Sequence, residues 1–364
     1  MAILTVLELE RAQAIGRHYG IEVREVHPIL AGSVNSNYAL LHAGRGSTAA
    51  GRSGGGIVFL RIYEEQDASA ASREAALLNH LSAAGVRTPR PIAREDGGGF
   101  TSEHAGKPVA LFPWCDGQMI CQAGVTPERA WRVGEALARV HLAGATFPGA
   151  AGSRFDVPRL RGRLESVAQR ALAPPLRAVV RELSAALDRA GELLPPPSES
   201  QGVIHGDLFR DNVLWRSDGN LEALLDFESA SRGSFAFDLM VTVLAWCYGG
   251  APRAAEPPED GGAVSGNVEP AERASANFEP ALTRAMMAGY GSTRPMPEAE
   301  RARLWAEACF AATRFTITRI TDFELRSPRA GVFKDYQRFL ARLREIEALG
   351  PGGWQTLLGV PPRS

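Results

Sequence analysis

The order of apolar and polar positions divides the chain into two kinds of pattern. Residues 7–20 predict a short helix that ends at Gly20. Val23 to Leu30 then predicts a strand, followed by the polar run Gly32-Ser33-Val34-Asn35-Ser36-Asn37. Tyr38 to His42 predicts a second strand and Ile57 to Tyr63 a third, apolar throughout except for Arg61. Gly44 to Gly56, rich in Gly, Ser and Ala, reads as a flexible hairpin loop between them. Ala75, Leu78 and Leu81 recur at helical spacing with Leu77 beside them. Gly85 ends that helix, and Pro89 and Pro91 prevent its resumption. Pro108 to Trp114 predicts a further strand that runs into a hinge at Cys115-Asp116-Gly117.

Beyond residue 120 the period becomes helical. Thr126-Pro127 is a cap followed by proline at the first helical position. Trp131, Gly134, Leu137, Ala138 and His141 share one face of the helix that follows. Further helices are predicted over roughly 157–170 and 176–193, and from about 278 onward, with Pro195-Pro196-Pro197 as a stop. Val213-Leu214-Trp215 and Leu221 to Leu225 flank Asp218-Gly219, a strong hairpin signal. Residues 250–276, rich in Pro, Gly, Ala and Glu, are expected to form a mobile surface insertion. The expected class is α+β: a mainly β N-terminal lobe with one helix over residues 1–115, and a mainly helical lobe over 116–364.

Composition changes this picture little. The 364 residues are 45% apolar and 22% charged, with formal net charge −1. Those values count against a largely disordered chain, and no basic surplus or aromatic-basic interleaving suggests nucleic acid. No basic segment followed by an apolar run opens the chain, and Leu239 to Tyr248, its most apolar stretch, is too short to cross a bilayer. The four cysteines lack metal or redox spacing, so free thiols and a cytoplasmic location are expected. One oddity stands out: of the 40 cationic residues only Lys107 and Lys334 are lysine. Codon bias explains such a preference, yet phosphate-handling sites often depend on one particular lysine.

The chemistry concentrates in Ile204-His205-Gly206-Asp207-Leu208-Phe209-Arg210-Asp211-Asn212, followed after the hairpin by Leu225-Asp226-Phe227-Glu228. Phosphoryl transfer from ATP needs an acceptor for the attacking hydroxyl's proton and oxygen ligands that hold Mg²⁺ against the phosphates. Asp207 suits the first task, and Asn212 and Asp226 supply ligands for a hard cation. His205 reads as a support of the loop. Either carboxylate alone would be an ordinary turn residue; the full order with apolar strands on both sides is specific.

This segment resembles the catalytic loop of the aminoglycoside phosphotransferase superfamily, whose members have a protein-kinase-like two-lobed fold. Ser33-Val34-Asn35-Ser36-Asn37-Tyr38 is similar to the nucleotide loop of its homoserine kinase branch. Phe237-Asp238-Leu239, Leu244-Ala245-Trp246-Cys247 and the stretch from Arg314-Phe315 to Asp322-Phe323 resemble further segments of that branch. The resemblance implies that Ser33, Asn35, Ser36 and Asn37 contact phosphate and that Phe112 and Trp114 line the adenine pocket. The lysine expected on the third strand is replaced by Arg61, with Glu74 as its natural partner. Arginine is planar and bidentate where lysine is a point charge, so the usual ion pair is in question.

The branch implies an ATP- and Mg²⁺-dependent kinase that phosphorylates the hydroxyl of homoserine ahead of threonine formation, a small-molecule activity with no membrane or nucleic-acid partner. A site for that acceptor needs a cation for its carboxylate and an acid for its ammonium. Arg314, Thr318 and Asp322 are spaced i, i+4, i+8, with Arg319 nearby. A solvated charged helix face would look the same. Two other readings stay open: a kinase of the same superfamily acting on choline, ethanolamine, methylthioribose or an aminoglycoside, and a nucleotide-binding pseudokinase.

Overall fold

The computed structural model describes residues 3–30, 34–43, 55–194, 201–249, 277–325 and 334–360. Ser33, most of the glycine-rich loop and the 250–276 insertion lie outside the described residues.

A helix, α1 (Leu9–His18), precedes strands β1 (Glu22–Ile29), β2 (Ser36–Ala43) and β3 (Gly56–Ile62). Helix α2 (Ala68–Ala83) and strands β4 (Thr101–His104) and β5 (Lys107–Pro113) follow. The five strands form one antiparallel sheet in the order β1-β2-β3-β5-β4. On β3 the period of two decides the architecture. Val58, Leu60 and Ile62 are buried against Leu40, Val109 and Leu111, while Phe59 and Arg61 point to the opposite face. Asp67 caps α2 by accepting a hydrogen bond from the Ala70 N–H at 2.7 Å, which fixes where the helix starts and therefore where Glu74 falls.

Strand β4 has no counterpart in the sequence pattern. Its four residues are polar edge positions, and the β4–β5 hairpin turns through Ala105 and Gly106, both at positive φ. Two consecutive left-handed residues make the tight turn whose twist matches the strands.

The rest is mainly helical: α3 (Pro127–Gly144), α4 (Val157–Ala168) and α5 (Pro174–Leu193) come first. Three short antiparallel pairs intervene. Strand β6 (Gln201–Ile204) pairs with β9 (Ser231–Ser234), and β7 (Val213–Trp215) with β8 (Leu221–Leu224). After α6 (Phe235–Trp246), β10 (Tyr248–Gly249) pairs with β11 (Asn277–Phe278). The chain ends with α7 (Pro280–Thr293), α8 (Glu298–Arg301), α9 (Leu304–Arg319) and α10 (Gln337–Leu358). The apolar stretch around 239–248 proves to be the centre of the molecule: every residue of α6 is buried, so it is surrounded on all sides. Helices α3 and α7 approach closely enough that a Cβ on Gly134 would collide with the Met286 carbonyl. Among the described residues no helix is long and apolar enough to cross a membrane. The four cysteines are free.

Candidate active site

The loop carrying Asp207 is held from behind. Asp238, fully buried on α6, accepts hydrogen bonds from the His205 N–H through Oδ2 and the Gly206 N–H through Oδ1, both at 2.7 Å. Gly206 has φ +76, and a Cβ there would come within 2.9 Å of the Ser229 carbonyl, so the position requires glycine. The His205 ring is buried, lies 4.4 Å from Phe227 between centroids, and Nε2 is 2.9 Å from the Leu225 carbonyl. It ties the loop to the segment carrying Asp226 and does not face a ligand. The Asn212 amide donates to the Asp207 carbonyl at 2.8 Å, and the Leu225 N–H donates to the Asn212 carbonyl at 2.9 Å. These bonds place Asp207, Asn212 and Asp226 on one surface.

Asp226 is one of only two non-glycine residues at positive φ among the described residues (φ 60, ψ 69). That backbone costs of order 1 kcal/mol and persists where the surroundings impose it. Its Oδ1 is buried without a hydrogen-bond partner. Because the Asn212 nitrogen is used internally, its oxygen is the atom left to ligate. One carboxylate and one amide oxygen fit a cation that also takes phosphate oxygens and water. Among the described residues no group of three His, Cys, Asp or Glu side chains forms a complete metal cage.

Arg61 sits among three carboxylates. Its Nη1 lies 3.5 Å from Glu74, 3.6 Å from Glu228 and 3.8 Å from Asp226. The contact with Glu74 is therefore present, but the guanidinium is shared among the three. Burial would lower the Arg61 pKa; Asp226, Glu228 and Glu74 together hold it above the ordinary arginine value. Burial pushes Glu74 up to about 8 against the pull of Arg61, with Glu228 and Asp226 adding repulsion. Glu228 is pushed up to about 7 by burial, again opposed by Arg61. Sequence reasoning overlooked Glu228; the Asp226-Phe227-Glu228 spacing was the available signal.

A cavity of about 250 Å³ opens beside this cluster. Phe59, Leu78, Phe112, Trp114, Met119 and Leu214 give it apolar walls, and Arg61, Glu74 and Asp226 close one end. An apolar slot ending in charge suits a flat base followed by phosphates. Phe112 and Trp114 both line this cavity. The described residues of the polar loop before β2 do not. The Ser36 hydroxyl accepts from the Leu4 and Thr5 N–H groups at 2.9 and 3.0 Å and donates to Glu64 at 2.5 Å. Asn35 accepts from the Glu64 N–H at 3.1 Å and donates to Glu228. Asn37 is buried on β2 opposite Arg61. The side chains of Ser36 and Asn35 are thus committed inside the fold, which corrects the expectation that they face phosphate. A buried polar pair ahead of a strand has the same composition as an open turn.

A second cleft has a volume of about 170 Å³. It brings together Asp207, Arg314, Thr318, Arg319 and Asp322, with Arg154 and Lys334 as neighbours that sequence reasoning overlooked. Arg314 is 3% exposed, sandwiched 4.1 Å from the Phe155 ring and 3.7 Å from the Phe315 ring. Its Nη1 is 3.7 Å from Asp207 Oδ1, and neither Nε nor Nη1 has a hydrogen-bond partner. Burial lowers Arg314 to about 10, although Asp207 opposes this. Burial raises Asp207, opposed first by Arg314 and then by Lys334. Arg319 donates to the Asp335 carbonyl at 2.9 Å, Thr318 donates to the Phe315 carbonyl, and Asp322 is 3.4 Å from Arg163.

An apolar slot closed by Arg61, Glu74 and Asp226 and a charged cleft lined by Asp207 suit a two-substrate transferase. Residues 25–272 match the model of the phosphotransferase enzyme family. The chain belongs to that family. Homoserine kinases of Brucella abortus (strain S19) and Brucella suis biovar 1 (strain 1330) are each 31% identical over 353 residues, covering 94% of both chains. The fold is shared with a microcompartment-associated aminopropanol kinase (TM-score 0.62, 16% identity, 96% and 99% of the two chains). It is also shared with the choline kinase of Cryptosporidium parvum (0.61, 15%, 97% and 99%) and a spectinomycin phosphotransferase bound to ADP and its antibiotic (0.60, 12%, 98% of each). The protein is a small-molecule kinase of this superfamily, with the protein-kinase-like α+β fold.

Proposed function

We propose that this phosphotransferase moves the γ-phosphoryl group of ATP to the hydroxyl of L-homoserine, forming O-phospho-L-homoserine for threonine synthesis. The observation that carries the reading is Arg314: a buried guanidinium with unpartnered N–H groups, 3.7 Å from Asp207 Oδ1. A planar cation held by two aromatic rings is a receptor for a carboxylate. Homoserine presents a carboxylate and a primary hydroxyl a short chain apart, and the relatives named homoserine kinase support the same acceptor. Asp322, shared with Arg163, is the acid offered to the ammonium, while Arg319 and Thr318 border it.

In this reading residues 1–115 hold the nucleotide and residues 116–364 hold the acceptor. Asp207 accepts the hydroxyl's proton as the new O–P bond forms and the bond to ADP breaks. Arg61, positioned by Glu74, faces the phosphates. Asn212 and Asp226 would hold Mg²⁺, which supplies charge neutralisation along the phosphates when bound. His205 keeps Asp207 in register. The protein acts in the cytoplasm without membrane or nucleic-acid partners.

ADP release measured over homoserine, choline, ethanolamine, methylthioribose and aminoglycosides tests this. Turnover with homoserine supports it; turnover only with another acceptor gives the site to a different small molecule of the superfamily. One observation favours that second reading: Asp322 already has Arg163 as a partner, so the ammonium must share it. No nucleotide turnover with any acceptor would leave the pseudokinase.

A further inference from the structure

Arg314 has an odd place for a residue that only recognises a substrate. In the resting protein the carboxylate nearest to it is Asp207, the group that must receive the hydroxyl's proton. The guanidinium is confined by aromatic contacts, its central carbon 4.1 Å from the Phe155 ring centroid and 3.7 Å from that of Phe315. The other cations of the cleft are occupied. Arg163 pairs with Asp322, Arg319 donates to the Asp335 carbonyl, Arg154 donates to Ser229 at 3.3 Å, and Lys334 lies 5.7 Å over the Phe323 ring. Among the acids, Asp322 is paired, Asp226 belongs to the Arg61 cluster, and Asp211 lies at the cleft wall. Among the described residues Arg314 is therefore a buried cation with unpartnered N–H groups and with Asp207 as its one ion-pair partner.

We infer that Arg314 restrains Asp207 until a carboxylate enters the cleft, so that the acceptor's own carboxylate releases the base that accepts its hydroxyl proton. A carboxylate that takes the unpartnered N–H groups neutralises the guanidinium, and Asp207 loses the attraction that draws Oδ1 away from the incoming hydroxyl. An acceptor without a carboxylate, or water, meets Asp207 still turned toward Arg314. Discrimination then falls on kcat as well as KM, and ATP is protected from hydrolysis while the cleft is empty. When the step occurs the hydroxyl proton goes to Asp207, the hydroxyl oxygen bonds to the γ-phosphorus, and ADP leaves with the electrons of the broken P–O bond.

The identity of the acceptor rests on the proposed function; the pairing itself does not, and acetate tests it directly. ADP release from ATP and Mg²⁺ without acceptor is measured with and without acetate. Acetate is expected to raise hydrolysis saturably, on the order of tenfold, the rate equivalent of weakening a pair by about 1.4 kcal/mol. The kcat for 3-amino-1-propanol, which lacks the carboxylate, should rise similarly. Arg314→Met should hydrolyse ATP at the acetate-stimulated rate and no longer respond; Arg314→Lys, which keeps the charge, should stay slow. Nucleotide-induced thermal shifts report whether each variant is folded. No acetate response in the wild type overturns the inference, as does an Arg314→Met variant that still responds. If neither variant binds nucleotide, the wild-type response decides alone. Absence of homoserine turnover with the acetate response intact would remove the acceptor and leave the restraint standing.

Discussion

Replacing Arg61 with alanine separates a working arginine from a compositional one. The guanidinium lies 3.5–3.8 Å from Glu74, Glu228 and Asp226, and it is 14% exposed while Glu74 is 5% exposed. Breaking a buried pair and leaving the other charge behind costs about 3–5 kcal/mol. Here the loss has a limit, because Glu74 and Glu228 already hold protons up to about 8 and 7 and would bind them more firmly without Arg61. Both carboxyls have folded pKa values above the ordinary unfolded ones, so their protonated forms favour the folded state. Stability is greatest below the unfolded value near 4.3 and declines as pH rises toward 8. Arg61→Ala should steepen that decline: about 1 kcal/mol lost at pH 6 and about 3 kcal/mol at pH 8.5, read from urea unfolding at each pH. In the same variant the KM for ATP should rise at least about tenfold, the equivalent of one charge-assisted hydrogen bond to phosphate. Unchanged KM and a pH-independent stability loss would refute the reasoning, and the arginine excess would then be composition alone.

Other expectations follow from single contacts. Asp207→Ala should reduce turnover by about 10²–10⁴-fold, the usual contribution of a positioned general base, while ADP still raises the melting temperature. Glu307→Gln should stabilise the protein at alkaline pH. Burial raises Glu307 to about 7 despite the 2.6 Å bond from Ser234, so its contribution is full below about 4.5 and lost as pH rises to about 7. The amide keeps that bond, and melting temperatures at pH 8 and pH 5 should rise and stay level, respectively, with a gain of at most about 3 kcal/mol. Asp238→Asn turns an amide N–H toward groups that already donate, and should cost about 3 kcal/mol in chemical denaturation.

What could be read from sequence was whatever is local. Strand β3 and Arg61 were legible because one apolar run carries a single charged interruption. Asp207, Asn212 and Asp226 were legible because they lie within twenty residues and a hairpin must bring the last beside the first. The boundaries of α4 and α5 fell within a few residues of the periodicity for the same reason. Contacts across long separations were not legible. Arg154 and Phe155 reach the Asp207 cleft from the segment before α4, and Lys334 from the segment before α10. Nothing in their neighbours marks them. Ser36 was misread for a different reason: hydroxyls at a turn and hydroxyls buried under an N-terminal segment have the same local pattern, and only the partners Leu4, Thr5 and Glu64 distinguish them. Strand β4 escaped because four polar edge residues carry no alternation.

The position of Asp207 is decided well away from the cleft. Asp238 receives the loop's two N–H groups and is itself 3.0 Å from His141 Nε2 on α3. His141 Nδ1 lies 2.8 Å from the Tyr290 hydroxyl on α7, Arg294 donates to that hydroxyl at 3.1 Å, and Arg294 grips the fully buried Glu300 on α8 with both terminal nitrogens. Burial works against the Asp238 charge, but the His141 bond leads the effects that hold its carboxyl below the usual range. Burial also lowers His141 and so favours the neutral ring. A neutral imidazole has one donor and one acceptor; the Asp238 carboxylate takes the donor, so Nδ1 must accept the Tyr290 proton. Every link in this chain therefore has a defined direction. A polar chain of this kind is stable only when complete, since each member would otherwise be a buried orphan. The bundle thus specifies the Asp207 loop through hydrogen-bond complementarity, and the apolar faces of α3, α6 and α7 hold Asp238 and its partners at bonding distance.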